Sequence, residues 1–277
     1  MDKILEAKSD FGKKAEQMVA EEIIKRLGVA IELRNQGKDA ESDKVVNDMK
    51  DWLERDIQEI ENQLASGKDT VSDRSVFPQE GDMVAQGDKV VLGVIKKDER
   101  EKYLAVSYEH SSMKEWYKEE AFRKTTWEDF LSENSFVCSI YDKISGEYVG
   151  YCSIKNLMKD EWEIAIELKS DACHKGYGTE ALHIFMETVH QLTGRRFFRA
   201  RVEIDNYASQ GLMKKLGAIP NGVSEFLLHG EEIEKFQKEH QDMITDEIRN
   251  VAADFCMDAE AILGYVLEYR FDMMKRR

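Results

Sequence analysis

The chain has 277 residues, of which 42% are hydrophobic, and it carries a formal net charge of −15. That length supports one sizeable core plus an accessory unit. The acidity argues against a nucleic-acid partner and favours cationic partners such as amines. No apolar run reaches membrane-spanning length and the first residues do not resemble a signal peptide, so we expect a soluble, cytoplasmic protein with no membrane partner.

The four cysteines do not have the spacing of a zinc site. They show no C-x-x-C pair and no paired histidines, so no metal site is expected. Cys138 and Cys152 are predicted to face each other across a hairpin, as two buried and reduced thiols.

Residues 1–66 are predicted to form a helical hairpin. Apolar residues recur with a helical period on both sides of a turn at Gln36-Gly37-Lys38-Asp39. One apolar face is left over, and it docks on the rest of the chain, on a second copy (giving a homodimer) or on a partner protein. Residues 67–87 contain turn formers without apolar periodicity, which indicates a linker before a domain at 88–277.

Strands and helices are both predicted within residues 88–277. Alternating or continuous apolar runs predict strands over 90–95, 136–141, 148–154, 162–168, 197–205, 223–228 and 262–271. Residues 97–133 are predicted to be helical, with breaks near Ser111-Ser112 and Thr125-Thr126. A second helical stretch, 231–255, is rich in charge and poor in glycine.

The clearest chemical signal lies between the strand at 162–168 and the helix that follows it. Gly176 and Gly178 have no Cβ, so the backbone can approach a ligand closely. The free N–H groups at the helix start, together with Lys175, favour an anion. This glycine loop, Lys169-Ser170-Asp171-Ala172-Cys173-His174-Lys175-Gly176-Tyr177-Gly178-Thr179-Glu180, therefore predicts phosphate or pyrophosphate binding.

Two other interpretations of the loop are weaker. Gly176, Gly178 and Ala181 fit the dinucleotide fingerprint G-x-G-x-x-A, with Glu203 or Asp205 as the ribose-binding acid. That fingerprint needs its first glycine in a tight turn directly after the strand, and the connection through 169–175 is too long. An ordinary helix start with glycines would be favoured without the next segment.

That next segment follows the strand at 197–205 and reads Asn206-Tyr207-Ala208-Ser209, ending in Lys215-Leu216-Gly217. Asn206 can cap a short helix and Gly217 can end it. The order of strand, glycine loop with helix, strand, and N-x-x-S with a K-L-G ending resembles the GCN5-related N-acetyltransferase (GNAT) superfamily. It is most similar to the ribosomal-protein N-terminal acetyltransferase-like branch, over roughly residues 88–230.

The resemblance implies an α+β fold. Its sheet is mixed and mostly antiparallel with flanking helices, here preceded by the helical hairpin and interrupted by the insertion at 231–255. It also implies acetyl-CoA as cosubstrate, with its pyrophosphate on the glycine loop and pantetheine between two splayed strands. The residues implied to bind it are Ile166, Leu168, Cys173, His174, Lys175, Gly176, Tyr177, Gly178, Thr179, Asn206 and Ser209.

The implied reaction is acetyl transfer to a primary amine, either a protein N-terminus or a small cationic amine. A backbone N–H around Glu167 or Leu168 would polarise the thioester carbonyl. Met213 stands where the family often has a tyrosine proton donor, which leaves Ser209 as the hydroxyl on that segment. Ser209 can equally serve helix packing or hold pantetheine.

Glu225 is the first choice for the general base, because relatives of this branch place an acidic residue in the strand after the asparagine helix. Glu167 and Glu163 on the splayed strand are the next candidates. Cys173 departs from the family, which usually has Arg or Gln there, so phosphate binding would depend on Lys175, His174 and backbone N–H groups. The alternative function is a non-catalytic CoA-binding regulatory or interaction module that uses the helical hairpin as its partner surface.

Overall fold

The computed structural model describes residues 25, 27–53, 74–111, 114–159 and 161–275. Helix α1 covers 27–35 and helix α2 covers Asp39–Leu53. Gly37 makes the turn between them with φ +74°, and the buried Ser42 hydroxyl donates to the carbonyl of Ala30 at 2.7 Å. The predicted turn is confirmed, whereas the predicted helical stretches over 1–24 and 54–66 lie outside the described residues.

One sheet organises the rest of the described chain. Its eight strands lie in the order β1-β2-β3-β4-β5-β6-β8-β7, and every neighbouring pair is antiparallel except β5 with β6. The sheet is therefore mixed and mostly antiparallel, as predicted. The strands are β1 Met83–Gln86, β2 Val90–Val94, β3 Ser135–Asp142, β4 Tyr148–Lys155, β5 Glu163–Leu168, β6 Phe197–Glu203, β7 Ile219–Ser224 and β8 Val266–Asp272.

Helices cover both faces of the sheet. The helices after α2 are α3 Arg100–His110, α4 Glu120–Phe130, α5 Tyr177–Thr193, α6 Tyr207–Lys215, α7 Glu231–Glu239 and α8 Asp246–Asp254. The last two lie between β7 and β8, so the stretch predicted to be helical over 231–255 is present as two helices.

The alternation of side chains along β3 and β4 separates two apolar cores. Cys152 and Ile154 belong to the larger core, which α5 covers with side chains such as Phe185. Val137 and Tyr151 belong to the smaller, aromatic core under α3 and α4. The aromatic residues of the 97–133 region thus lie on the face opposite α5.

The central thiols are placed as predicted. Cys138 and Cys152 are directly opposite each other in the antiparallel β3–β4 pair, both are fully buried, and both are free thiols. Burial raises the pKa of both groups above the usual value for cysteine.

The break predicted near Thr125-Thr126 is absent from helix α4. The chain stays helical through Thr125 and Thr126, although it does leave the helix after His110. Two β-branched threonines reduce helix propensity only slightly. Burial of Trp127 and Phe130 against Tyr103 outweighs that cost.

The sheet also begins earlier than the sequence indicated. Strand β1 lies within the span predicted as a linker, 67–87, and Phe77 is buried and stacks on Phe136 with ring centroids 4.5 Å apart. Four residues are too few to show a strand period. This strand pairs with β2, so the start of the sheet lies before residue 88.

Strand β7 is shifted from its predicted position at 223–228 to Ile219–Ser224. The shifted strand contains Pro220 and Gly222, two residue types that are disfavoured inside a central strand. The strand lies at the edge of the sheet, where a missing N–H is tolerated, and the register shifts between Pro220 and Val223.

Within the described residues, no helix has the length and apolar character needed to cross a membrane.

Candidate functional site at the β5–β6 splay

Strands β5 and β6 separate almost as soon as they meet. Their parallel pairing consists of Glu163 opposite Arg199, with the Arg199 N–H donating to the carbonyl of Trp162 at 2.8 Å. Beyond this position the two strands share no ladder, so a cleft opens toward Leu168 and Glu203. The sheet therefore has a closed end at Glu163 and an open end at Leu168.

The glycine loop lies at the open end. Gly176 precedes α5 with φ +87°, a left-handed conformation that glycine adopts without a Cβ clash. A Cβ on the buried Gly178 would stand 3.4 Å from a methyl group of Leu168 and 3.7 Å from methyl groups of Ile166 and Leu212. Gly178 therefore marks the point where β5, α5 and α6 converge, and it brings the predicted apolar binding residues together.

The remaining predicted loop residues have different exposures. His174 and Lys175 are exposed, whereas Tyr177 and Thr179, in the first turn of α5, are half-buried. Cys173 is also half-buried, and burial followed by the charges of Glu109 and Asp171 raises the pKa of its thiol. Cys173 therefore brings no negative thiolate to the loop, and no positive charge either.

Helix α6 forms the other side of the cleft. The side chain of Asn206 caps it by accepting from the Ser209 N–H at 3.0 Å, as the sequence predicted. Ser209 is half-buried, one turn into the helix. Met213, which replaces the tyrosine expected from the resemblance, is buried in the larger core.

On the face opposite α5, Glu167 lies among tyrosines. It is directly opposite Tyr151 in the β4–β5 pair, and its Oε2 atom is buried with no hydrogen-bond partner among the described residues. Tyr103 packs beside Tyr151 with ring centroids 4.9 Å apart. Burial raises the pKa of both tyrosines, and the charge of Glu167 raises it further. For Tyr151 a side-chain hydrogen bond with Glu167 adds to the shift, so both hydroxyls remain protonated at neutral pH.

Tyr117 and Tyr148 complete this tyrosine cluster around Glu167. Burial is the main cause of the raised pKa of each, and Glu167 contributes to both. The Tyr117 hydroxyl is hydrogen-bonded with the Ser107 hydroxyl at 2.7 Å. Glu167 thus lies among neutral tyrosine hydroxyls, and the Lys102 Nζ lies 5.7 Å from the ring centroid of Tyr148.

Helix α3 is tied to both β5 and the glycine loop. His110 Nε2 lies 2.6 Å from the carbonyl oxygen of Leu168, and because a carbonyl only accepts, this nitrogen carries the proton. The Glu109 carboxylate accepts from the N–H and the hydroxyl of Ser170, at 2.8 and 2.9 Å. The helix that covers the tyrosine cluster is therefore fastened to the start of the loop, a contact that the sequence did not indicate.

Glu225 lies at the open end of the splay but outside the strand that was predicted to contain it. It follows β7, whose last residue, Ser224, pairs with Val266, which in turn pairs with Glu203. The carboxylate is exposed and its two oxygens lie 3.0 Å from His229 Nδ1 and 3.2 Å from the N–H of Gly230.

The closed end of the splay is held by charge pairs. Arg201 Nε donates to Glu163 at 2.7 Å, and Arg199 reaches the same carboxylate at 3.5 Å and that of Glu268 at 3.2 Å. Among the residues that the structure describes, no group of His, Cys, Asp and Glu side chains is arranged to hold a metal ion.

A comparison with known families settles the class of this domain. Residues 85–219 match the family model described as an acetyltransferase (GNAT) domain. The chain contains a GNAT acetyltransferase domain. Residues 85–219 therefore form an acetyltransferase domain, and the acetyl donor of this family is acetyl-CoA. The glycine loop and the splay fit this cosubstrate, because Gly176 and Gly178 leave the backbone accessible beside an apolar cleft.

Solved structures of other GNAT acetyltransferases resemble the domain in fold. A GNAT-family acetyltransferase from Bacillus anthracis is 13% identical, with a TM-score of 0.48 and coverage of 70% of this chain and 100% of that one. RimL, a ribosomal-protein alpha-N-acetyltransferase in complex with coenzyme A, is 12% identical, with a TM-score of 0.48 and coverage of 69% and 98%. A spermidine N-acetyltransferase chimera made from the Vibrio cholerae enzyme and hSSAT is 11% identical, with a TM-score of 0.48 and coverage of 69% of this chain and 100% of that one. No curated protein sequence matches the chain.

Proposed function

We propose that this GNAT domain acetylates a primary amine that is positively charged in solution, either a protein N-terminus or a small cationic amine. The observation that carries the proposal is the Glu167 carboxylate at the open end of the splay. Its Oε2 is buried without a hydrogen-bond partner among the described residues, and its neighbours are neutral tyrosines. A half-buried carboxylate with one unpartnered oxygen is stabilised by an approaching cation.

The same carboxylate suits proton transfer. An amine is mostly protonated near neutral pH, and only its neutral form attacks a thioester. Glu167, directly or through a water molecule, would accept the proton that the amine must lose. The faces of the surrounding tyrosines favour a cation in the same place, so the pocket both holds the amine and deprotonates it.

The reaction also needs a proton for the leaving thiolate and a donor that polarises the thioester carbonyl. The amine nitrogen bonds to the acetyl carbon as the carbon–sulfur bond breaks, and the leaving thiolate takes up a proton. We assign the delivery of that proton to the Ser209 hydroxyl, because Met213 has none to give. A backbone N–H around Leu168 would polarise the thioester oxygen, at the strand end that His110 holds in place.

Release of free thiol from acetyl-CoA tests the proposal. The acceptors are peptides with free N-termini, the same peptides with formylated N-termini, and linear polyamines. We expect thiol release with the free peptides or the polyamines, rising with pH as more amine becomes neutral, and only background hydrolysis with the formylated peptides.

Two outcomes would contradict it. Acetylation of hydroxyl or neutral amide acceptors in preference to amines would exclude the proposed acceptor class. Coenzyme A binding without turnover of any acceptor would instead favour a regulatory module that binds partners through the N-terminal helices.

A further inference from the structure

We propose that Lys89, in the turn between β1 and β2, binds the pyrophosphate of coenzyme A. The inference rests on the proposed use of the glycine loop as the pyrophosphate site. It adds to that loop a cation from a distant part of the chain, which the loop's own sequence does not supply at Cys173.

The Lys89 ammonium lies directly against the loop. Its Nζ donates to the carbonyl of Lys175 at 2.9 Å. The same Nζ lies only 2.9 Å from where a Cβ on Gly176 would stand. Gly176 therefore has two functions: it adopts the left-handed turn before α5, and it leaves room for the ammonium beside the start of that helix.

The turn that carries Lys89 is fixed in place. The N–H of Lys89 donates to Glu180 Oε2 at 2.9 Å, and the N–H of Asp88 donates to the other oxygen of the same carboxylate. Lys143, just after β3, also contacts the turn. Its backbone N–H donates to the Lys89 carbonyl at 2.8 Å, and its Nζ donates to the Gly87 carbonyl at 2.9 Å. The ammonium is thus positioned before a ligand arrives.

Carboxylates and ammonium groups both lie near this point, with Asp171 in the loop itself. Glu180 would repel a phosphate at the start of α5, but two backbone N–H groups occupy its carboxylate. An ammonium group has three N–H donors. One donor of Lys89 is used by the backbone carbonyl of Lys175, which leaves two for phosphate oxygens. Together with the exposed Lys175, Lys89 places two cations at the N–H groups of the helix start.

Calorimetric titration of the full chain with coenzyme A tests this assignment. Lys89→Gln should bind coenzyme A about 10-fold more weakly than wild type, in line with the loss of a charge-assisted hydrogen bond. Its affinity should also depend less steeply on salt, because one cation is lost. Lys89→Arg should retain most of the affinity. Lys155→Gln is the charge-matched control: Lys155 is exposed and lies opposite Glu163 at the closed end of the splay, so its loss should change the dissociation constant less than about 2-fold.

Dephospho-coenzyme A identifies which phosphate is bound. The loss in Lys89→Gln should persist with this ligand, since it lacks only the 3′-phosphate. A loss that disappears with dephospho-coenzyme A would overturn the pyrophosphate assignment.

The remaining outcomes separate this inference from the proposed function. If wild type binds coenzyme A and Lys89→Gln binds it equally well, the inference is wrong and the proposed function stands. If wild type does not bind coenzyme A, the proposed function itself is wrong. A lowered melting temperature of free Lys89→Gln, with weakened binding that Lys89→Arg does not restore, would show that Lys89 only supports the loop backbone.

Discussion

The two ends of β5 place chemically identical side chains in opposite surroundings. Glu163 and Glu167 are four residues apart, so they point to the same face of the sheet. At the closed end, Glu163 is buried and paired with Arg201 and Arg199. At the open end, Glu167 faces tyrosine hydroxyls, and its Oε2 has no hydrogen-bond partner among the described residues.

The difference shows how one strand provides both scaffold and reactivity. A carboxylate held by two guanidinium groups fixes the position where β5 and β6 still pair. A carboxylate that faces tyrosine hydroxyls, with no arginine on its Oε2, is left available to an incoming amine. The separation of the strands creates this second environment, because β6 and its arginines no longer lie beside β5 at Glu167.

The largest expected effect is at the open end. Glu167→Gln preserves shape but removes the base, so kcat for thiol release should fall by about 100-fold or more. Coenzyme A affinity should stay unchanged, and higher pH should partly restore the rate as more of the amine becomes neutral.

Glu225→Gln is the matched variant for this experiment. Its carboxylate lies at the same end of the sheet, but both oxygens are engaged by His229 and Gly230, so a smaller loss of kcat is expected. A larger loss in Glu225→Gln than in Glu167→Gln would reverse the assignment and make Glu225 the base, as the sequence favoured.

A substitution at the closed end should lower the stability of the fold. Glu163→Gln leaves Arg199 and Arg201 without their shared carboxylate, and should lower the free energy of unfolding by about 2 kcal/mol, measured by urea denaturation. The figure is below that of a fully buried pair because the arginine side chains are 19% and 21% exposed. An unchanged denaturation midpoint would mean that the single β5–β6 pairing does not depend on this ion pair.

The smallest expected effect is at a third carboxylate, Asp142, which differs from both glutamates in its contacts. Asp142 is satisfied by hydrogen bonds rather than arginines, accepting from the Ser145 N–H at 2.7 Å and from the Tyr177 hydroxyl. These contacts lower its pKa to about 2. Since the folded-state pKa is below the usual value of about 4, its contribution to stability is complete above about pH 4 and is lost as the pH falls toward 2.

Urea denaturation between pH 6 and 2 measures this contribution. Asp142→Asn should remove part of the wild-type loss of stability below about pH 4 and leave the difference between the two proteins constant above it. Parallel curves over the whole range would exclude Asp142 as a source of the acid dependence.

Much of the fold was predictable because its signals are local. The alternation in β5, the glycines before α5 and the Asn206 cap each depend on residues within a few positions of one another. The resulting order of elements identified the family and its cosubstrate. Strand β1 was missed because four residues show no period, and β7 was displaced because Pro220 is acceptable only at a sheet edge, which the sequence does not reveal.

The candidate site was predictable only where the chain itself forms it. The glycine loop and α6 are continuous segments, whereas Lys89 contacts Lys175 across 86 positions of sequence. The ranking of Glu225 above Glu167 followed from the resemblance, which implies an acidic residue in the strand after α6, and in the structure that strand ends at Ser224. Glu163 is paired with two arginines and the Oε2 of Glu167 has no partner among the described residues, a difference set by neighbours that only folding brings together.

The facing thiols of Cys138 and Cys152 allow opening of the central strands to be measured by alkylation. The thiolate is the form that reacts with alkylating reagents, and burial keeps Cys138 and Cys152 both protonated and inaccessible. Their labelling therefore requires the central strands to open, so its rate follows the frequency of that opening. Cys256 is exposed and supplies a fast internal reference in the same chain. Mass spectrometry of a timed alkylation would thus measure the rigidity of the strands beneath the splay without any engineered probe.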